Sequence, residues 1–370
     1  MKGKLSLAYN LISMQKRRTL LVLLLSCYSL LLQAQFEISG MILDSATREP
    51  LSKASVFCQN TTLGTLTNKE GAFHLSLKSG GYDLVFSYTG YHTQTIQVSE
   101  QNKLEVLLVK KDNSMEEVVL KSSFEVADGW QKYGDFFLKN FIGSTPNAEN
   151  CVLNNPDVLK FFFYKKTNRL KVLATDALLI TNQALGYELR YQLDSFVYYY
   201  NNSINSYRGY CLFMEMEGSD SLKKQWAKAR EEAYSGSRLH FMHSYYDSTL
   251  LEDGFVISLL DSTNEKKFNK IKDPYDTVYY GGLDSTNQIE IWYPRKISVM
   301  YTKKSPEPEY LKKMNLPKSV PYATSYIDIR DTIVITENGY YYDQKDWINQ
   351  GYWSWKNLAD LLPYDYMPDE

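Results

Sequence analysis

Between Phe36 and Val109 apolar and polar residues alternate in short runs, which Gly, Asn, Asp or Ser clusters interrupt at the spacing of an all-β sandwich. In Ala72–Leu77, Phe73, Leu75 and Leu77 share one face of a strand, and in the run from Tyr82 to Tyr88 the residues Tyr82, Leu84, Phe86 and Tyr88 do the same. One packed face per strand is the expectation. From 129 to 142 the period lengthens: Trp130, Tyr133, Phe137, Phe141 and Ile142 fit one helix, which Gly143-Ser144-Thr145-Pro146 stops. Strand-like runs follow, and in the longest of them Tyr187, Leu189, Tyr191 and Leu193 alternate with Glu188, Arg190, Gln192 and Asp194, as in a half-buried antiparallel strand. Between Ser221 and Leu251 two helical stripes appear, Leu222-Trp226-Ala229-Ala233 and Leu239-Met242-Tyr246-Leu250, with Ser221 and Ser235 as the expected N-caps. Strand runs then resume as far as Thr336, and the chain closes with the segment Trp353-Ser354-Trp355-Lys356-Asn357-Leu358-Ala359-Asp360-Leu361-Leu362 before Pro363. The pattern predicts a mainly β protein, an N-terminal β-sandwich followed by an α+β domain with an antiparallel sheet.

The first segment also carries a family pattern. An opening Ile38-Ser39-Gly40 strand leads to Glu49-Pro50-Leu51, Ala54-Ser55-Val56, Gly64-Thr65, Thr67-Asn68, Gly71-Ala72-Phe73 and Ser87-Tyr88-Thr89-Gly90-Tyr91. It resembles the carboxypeptidase regulatory-like domain. The resemblance implies a transthyretin-like sandwich, of a kind found beside zinc carboxypeptidases and at the front of TonB-dependent receptors and other Gram-negative envelope proteins. Its matching residues are turn formers and core residues, so it implies no peptidase activity. The patch Met115-Glu116-Glu117-Val118-Val119-Leu120 is similar to the box that joins such sandwiches to a receptor, and is read here as an edge strand or linker. The segment from Trp226 to Leu251, the Gly186-Tyr187 strand and Gly351-Tyr352-Trp353-Ser354-Trp355 are similar to a region that envelope proteins of unassigned activity pair with this sandwich.

The start of the chain adds a destination. Lys2, Lys4, Lys16, Arg17 and Arg18 precede an unbroken apolar run from Thr19 to Leu32, and the small residue Ala34 follows, which reads as a secretory signal peptide. Met14 would open a signal of more ordinary length. Leu24-Leu25-Ser26-Cys27 outlines a lipobox, but Leu30-Leu31-Leu32 continues where a lipoprotein turns polar, so export without lipid is expected. Domains are placed at 1–34 (signal peptide), 35–111 (sandwich), 112–128 (linker) and 129–370 (α+β). Removing five basic residues and no acid takes the formal net charge from −2 to −7, a surface that does not attract nucleic acid. Three cysteines stay in the mature chain, Cys58, Cys151 and Cys211, too few and too odd in number for a disulfide framework, and Cys58 reads as core.

Reagents are scarce. HExxH, Walker A, GxGxxG and GxSxG motifs are absent, and only four histidines occur. His74 and His92 read as surface or turn residues. His240, His243 and Asp247 share one helix face at spacings of three and four, a pattern able to hold a borderline metal ion, with a solvated or core-bordering role as the blander alternative. Glu215 and Glu217 share a strand face and could exchange protons only if buried together. The same balance applies to the 31 tyrosines, with runs at Tyr198-Tyr199-Tyr200, Tyr245-Tyr246, Tyr279-Tyr280 and Tyr340-Tyr341-Tyr342, which suit either sheet packing or an exposed binding surface. The sequence therefore assigns no catalytic, cofactor-binding or metal residue and no cofactor. It favours a non-enzymatic protein, exported to the periplasm or associated with the outer membrane, that binds an envelope protein or glycan through its aromatic domain. No integral membrane span is expected in the mature chain, and the polar tail Tyr364-Asp365-Tyr366-Met367-Pro368-Asp369-Glu370 argues against a terminal barrel strand. The alternative is an envelope hydrolase with its site in the second domain.

Overall fold

A computed structural model describes residues 36–368, apart from 78–81, 99–102, 112–123, 265, 284–286 and 343–345. The signal peptide, Cys27 and most of the expected linker lie outside the described residues.

The N-terminal segment is a two-sheet sandwich. Strands β1 (Phe36–Asp44), β4 (Ala72–Leu77) and β7 (Lys103–Leu108) form one sheet in the order β4-β1-β7, with β1 and β7 parallel. Strands β2 (Ser55–Cys58), β3 (Gly64–Leu66), β5 (Tyr82–Ser87) and β6 (Gln94–Val98) form the other, antiparallel throughout, in the order β3-β2-β5-β6. Alternate residues meet between the sheets: Ile38, Ile42, Leu75, Leu84, Phe86 and Val106 are all buried, with Phe73 edge-on to Phe86. Gly40 is required here, because a Cβ would stand 2.2 Å from the Leu104 carbonyl oxygen of the parallel neighbour. The opening Ile-Ser-Gly thus lets β7 close against β1.

One packed face per strand does not hold for β2 and β5. Every residue of β2 is buried, and Val85 is as buried as Leu84 and Phe86 on either side. The outer face of this sheet is therefore buried too, at Phe57 and Val85.

That domain has two hydrophobic cores. Around the first, α1 (Gly129–Phe141) sets Phe137 and Phe141 against Phe161, Tyr191, Phe196 and Tyr207 of a six-stranded sheet. Its strands are β8 (Cys151–Leu153), β9 (Leu159–Tyr164), β10 (Arg169–Ala174), β11 (Leu178–Asn182), β12 (Tyr187–Tyr199) and β13 (Ile204–Glu215). The long β12 pairs with β11 and then β10 along its length, and with all of β13 across a bulge at Leu193/Ser195. The last residues of the expected linker belong to this sheet, since Val126 N–H donates to Phe161 and Phe163 N–H to Phe124 at the edge of β9.

Two helices lead out of the sheet, α2 (Asp220–Tyr234) and α3 (Arg238–Tyr246). Their caps are Ser219 and Ser237 rather than the expected Ser221 and Ser235. Ser219 stands two residues earlier with extended backbone, while Ser235 precedes Gly236, whose positive φ of 74° ends α2 and moves the next cap to Ser237. Phe241, Met242 and Tyr245 of α3 enter the second core. A five-stranded antiparallel sheet surrounds it, made of β14 (Phe255–Leu260), β15 (Phe268–Lys270), β18 (Ile297–Tyr301), β19 (Ala323–Ile329) and β21 (Trp347–Gly351). A three-stranded sheet of β16 (Tyr280–Gly281), β17 (Gln288–Ile291) and β20 (Ile333–Thr336), with α4 (Pro308–Lys313) and α5 (Tyr352–Trp355), completes it. The chain then returns: Leu358, Ala359, Leu362 and Tyr364 join the first core. Mainly β, sandwich followed by α+β with antiparallel sheets, is the observed class.

Candidate functional site

The three parts of the chain converge where the β2–β3 turn of the sandwich meets the C-terminal end of β13. Asn60, in the left-handed region at φ 55°, donates its backbone N–H to Cys211 O at 2.8 Å and accepts at Oδ1 from Cys211 N–H at 3.1 Å. Its carbonyl accepts from Tyr364 N–H at 2.8 Å. Thr61 accepts at its carbonyl from Phe213 N–H, in a parallel bridge with Leu212. Thr62 gives both its N–H, at 2.9 Å, and its hydroxyl to the Asp365 carboxylate. One turn therefore extends the six-stranded sheet and fastens the C-terminal segment. Elsewhere across the sandwich face, Tyr340 donates its hydroxyl to Asp83 and Thr89 to Asp176.

Beside this junction lies a cleft of about 270 Å³, lined by Thr62, Tyr187, Glu215, Ala227, Arg230, Pro363, Asp365, Tyr366 and Met367. Arg230 of α2 forms its wall. Its Nε donates to Leu185 O at 2.7 Å, Nη2 to Gly186 O at 3.1 Å and Nη1 to Glu215 Oε1 at 2.7 Å, while the guanidinium stacks 3.9 Å from the Tyr187 ring centroid. Gly186 makes this approach possible: its φ is +69°, and a Cβ would stand 2.2 Å from the Trp226 ring. Trp226 in turn donates Nε1–H to Gln183 O at 2.9 Å, which seats α2 on the turn before β12. Tyr187 is 1% exposed, and burial pushes its phenol up, opposed by the Arg230 charge and assisted by Glu215 and Asp365.

The residues singled out in the sequence are mostly elsewhere. His240, His243 and Asp247 are not brought together as ligands. His240 Nδ1 accepts from Gly236 N–H at 3.1 Å, inside a ring of Tyr234, Phe255 and Tyr301, and burial lowers its pKa to about 4. His243 Nδ1 pairs with the Tyr234 hydroxyl at 2.8 Å, and its imidazole is pushed down by burial against smaller upward effects of the Asn338 backbone and Asp247. Among the described residues no three His, Cys, Asp or Glu side chains are placed to share a metal ion. Glu215 and Glu217 also part: Glu215 pairs with Arg230 and Glu217 lies in solvent, 3.5 Å from Lys223. His74 is exposed beside Glu37, and His92 is exposed in the loop before β6. Cys58, Cys151 and Cys211 are free thiols, and burial pushes each of them up.

Most of the tyrosine runs are core. Tyr245, Tyr340 and Tyr341 are buried, and Tyr198 and Tyr200 pack on Phe136, leaving Tyr199 as the outward ring of its run. The residues missed in the sequence are Arg230, Tyr187 and Asp365. In sequence, Lys223, Lys224, Lys228 and Arg230 have the look of one solvated helix face; what sets Arg230 apart is its position four residues after Trp226, on the stripe that faces the sheet.

Among the described residues no helix is long and apolar enough to cross a membrane. The family model of the CarboxypepD_reg-like domain matches residues 38–120. TonB-dependent receptor P39 of Formosa agariphila is 29% identical over 142 residues, 38% of this chain and 13% of the receptor. TonB-dependent receptor SusC of Bacteroides thetaiotaomicron is 36% identical over 86 residues, 23% of this chain and 8% of the receptor. The chain thus spans a small fraction of the length of these curated relatives. Among solved structures, the shaft pilin SpaA of Lactobacillus rhamnosus GG aligns at 14% identity over 21% of this chain and 47% of the pilin, with a TM-score of 0.18. Residues 38–120, which hold the N-terminal sandwich, thus match the CarboxypepD_reg-like domain, and the chain is similar over part of its length to TonB-dependent receptors.

Proposed function

We propose that the protein is a non-catalytic docking or scaffold module of the Gram-negative cell envelope, exported to the periplasm or the periplasmic side of the outer membrane. The observation that carries this reading is the sandwich itself. It resembles a domain of envelope receptors, and it is fastened to the rest of the chain by the β2–β3 turn, Asp83 and Thr89, while Phe57 and Val85 on the outer face of its sheet β3-β2-β5-β6 are buried. A spacer needs no second buried face. A module that must hold a partner in a fixed orientation does, because flexible tethering between two bodies dissipates binding energy in ordering them.

In this reading the partner, an envelope protein or glycan, is held mainly by the domain that begins at Phe124. The test compares the full mature chain with residues 124–370 and with the sandwich, residues 35–111, in capture from envelope extracts, each first shown to unfold cooperatively. The expected result is that the full chain and residues 124–370 recover the same partner, that the full chain holds it more tightly, and that the sandwich recovers little. Recovery by the sandwich alone, at the full chain's affinity, would reverse the assignment. Turnover of an envelope glycan or peptide by the purified chain would replace docking with hydrolysis.

A further inference from the structure

The cleft beside the β2–β3 turn contains more acceptor capacity than the protein uses. Arg230 gives three of its five N–H groups to the Leu185 and Gly186 carbonyls and to Glu215, so its charge is answered within the wall. Asp365 differs. Its carboxylate accepts from Thr62 alone in the hydrogen bonds described, and no Lys, Arg or His among the described residues pairs with it. Each carboxylate oxygen has a second acceptor direction left. Tyr187 adds an independent feature, because this fully buried ring lines the cleft and no described residue hydrogen-bonds its hydroxyl. The lining carries two carboxylates and one guanidinium, a formal charge of −1, next to the aromatic faces of Tyr187 and Tyr366.

We propose that this cleft binds a protonated primary amine, with the ammonium paired to Asp365, hydrogen-bonded to the Tyr187 hydroxyl and set against the Tyr366 ring. An ammonium has three donors and no acceptor, which is what an unpaired carboxylate and an open phenol oxygen beside an aromatic face complement. A neutral hydroxyl would fill the same space but gain about half as much per hydrogen bond and leave the net charge unanswered. At about 270 Å³ the cleft sits at the small end of ligand sites and takes a group the size of one amino sugar or one lysine side chain. Both sources present the same amine chemistry. The assignment stands apart from the docking role, since it is read from the cleft alone, and binding by the purified chain tests it whether or not a partner is captured.

The experiment titrates the full mature chain, by calorimetry and ligand-observed NMR, with glucosamine and with Nα-acetyl-lysine amide. Their neutral counterparts are N-acetylglucosamine and Nα,Nε-diacetyl-lysine amide. At least one amine should bind saturably, and its neutral counterpart should bind about tenfold more weakly or worse. Glucosamine alone identifies an amino sugar as the source and the lysine derivative alone a protein side chain; either result supports the site. Asp365→Asn should lower affinity about tenfold, while Asn60→Gly, which loosens the same junction from outside the cleft lining and keeps the charge, should stay within about threefold. Equal affinity for amine and neutral ligands overturns the proposal. So does the failure of both amines to bind, or an equal loss in the two variants.

Discussion

Arg230 lies on a helix whose neighbouring basic residues point to water, yet its own side chain is only 13% exposed and meets two carbonyls, a carboxylate and an aromatic face. Replacing it with Leu leaves the Leu185 and Gly186 carbonyls without that donor and Glu215 without its cation. A loss of about 2–4 kcal/mol follows, seen as a lower midpoint for the transition that reports β12. Lysine should recover little, because one ammonium cannot span the fork. His240 gives a second prediction at this scale. Its folded pKa, about 4, lies below the unfolded value near 6.5, so the unfolded chain binds the extra proton first. Stability is full above pH 6.5 and falls as pH drops toward 4, by roughly 2–3 kcal/mol from this group. Asp253, His243 and Lys303 face the same ring and modulate the slope. His240→Gln, which offers a side-chain acceptor to Gly236 N–H and does not titrate, should flatten the acid limb between those two values in chemical unfolding; an unchanged limb would remove His240 from the account.

The elements were legible where one face is buried and the other wet. Strand β4, and β12 as far as its bulge at Leu193/Ser195, follow strict alternation, and their inward residues are the ones the alternation names. Strands β2 and β5 were legible as strands but not as two-faced ones. Their centres read Val56-Phe57-Cys58 and Leu84-Val85-Phe86, continuous apolar triplets of the kind that mark a strand covered on both sides. The sandwich core takes only the outer members of each triplet; Phe57 and Val85 are the surplus, buried on the sheet's other face. The cleft was not legible at all, because Thr62, Tyr187, Arg230 and Asp365 come from four distant segments and none belongs to a motif. Val85→Asp should therefore leave the sandwich core intact and break its docking, since an unpaired carboxylate would lie in a dry interface. Hydrogen exchange reads this as faster opening of β2, β3 and β13 with β1 and β7 unchanged. Asn60→Ala should weaken the same contact by about 1–2 kcal/mol, through the lost side-chain acceptor and the left-handed backbone that Ala tolerates poorly. Asn60→Gly, free of the backbone penalty, should cost less.

At the scale of the whole molecule, order along the chain and order in space disagree. The second core is built from residues 241–355, yet the segment after it, from Leu358 to Tyr364, goes back to complete the first. Ala359 N–H donates to Ile142 O at 2.9 Å and Asn182 Nδ2 to Ala359 O at 3.0 Å, so the returning segment closes the space between α1 and β11. A polar staple crosses from one core to the other at the same place. Asp360 accepts from Thr145 at 2.7 Å and from Asn147 at 3.0 Å, while Lys356, 3.4 Å from Asp360, also meets Glu307 at 3.0 Å. Glu307 is held below its usual range by Lys356, the Tyr352 hydroxyl and Lys304, against the upward push of burial. Ending the chain after Asn357 removes Leu358, Leu362 and Tyr364 from the first core, at about 2–5 kcal/mol for each large buried side chain. The sum approaches the whole stability of a domain, about 5–15 kcal/mol, so the first core should not survive. The Tyr364 and Asp365 contacts to the sandwich go with it, and the turn at Asn60 loses half of its partners. Hydrogen exchange on the truncated chain should show β9–β13 and α1 exchanging freely, the sandwich core of β1 and β4 still protected, and β14, β18 and β19 retaining most of their protection. Equal loss of protection in both cores would mean that they unfold as one unit, with the staple of Asp360, Lys356 and Glu307 holding the second core as firmly as the returning segment holds the first.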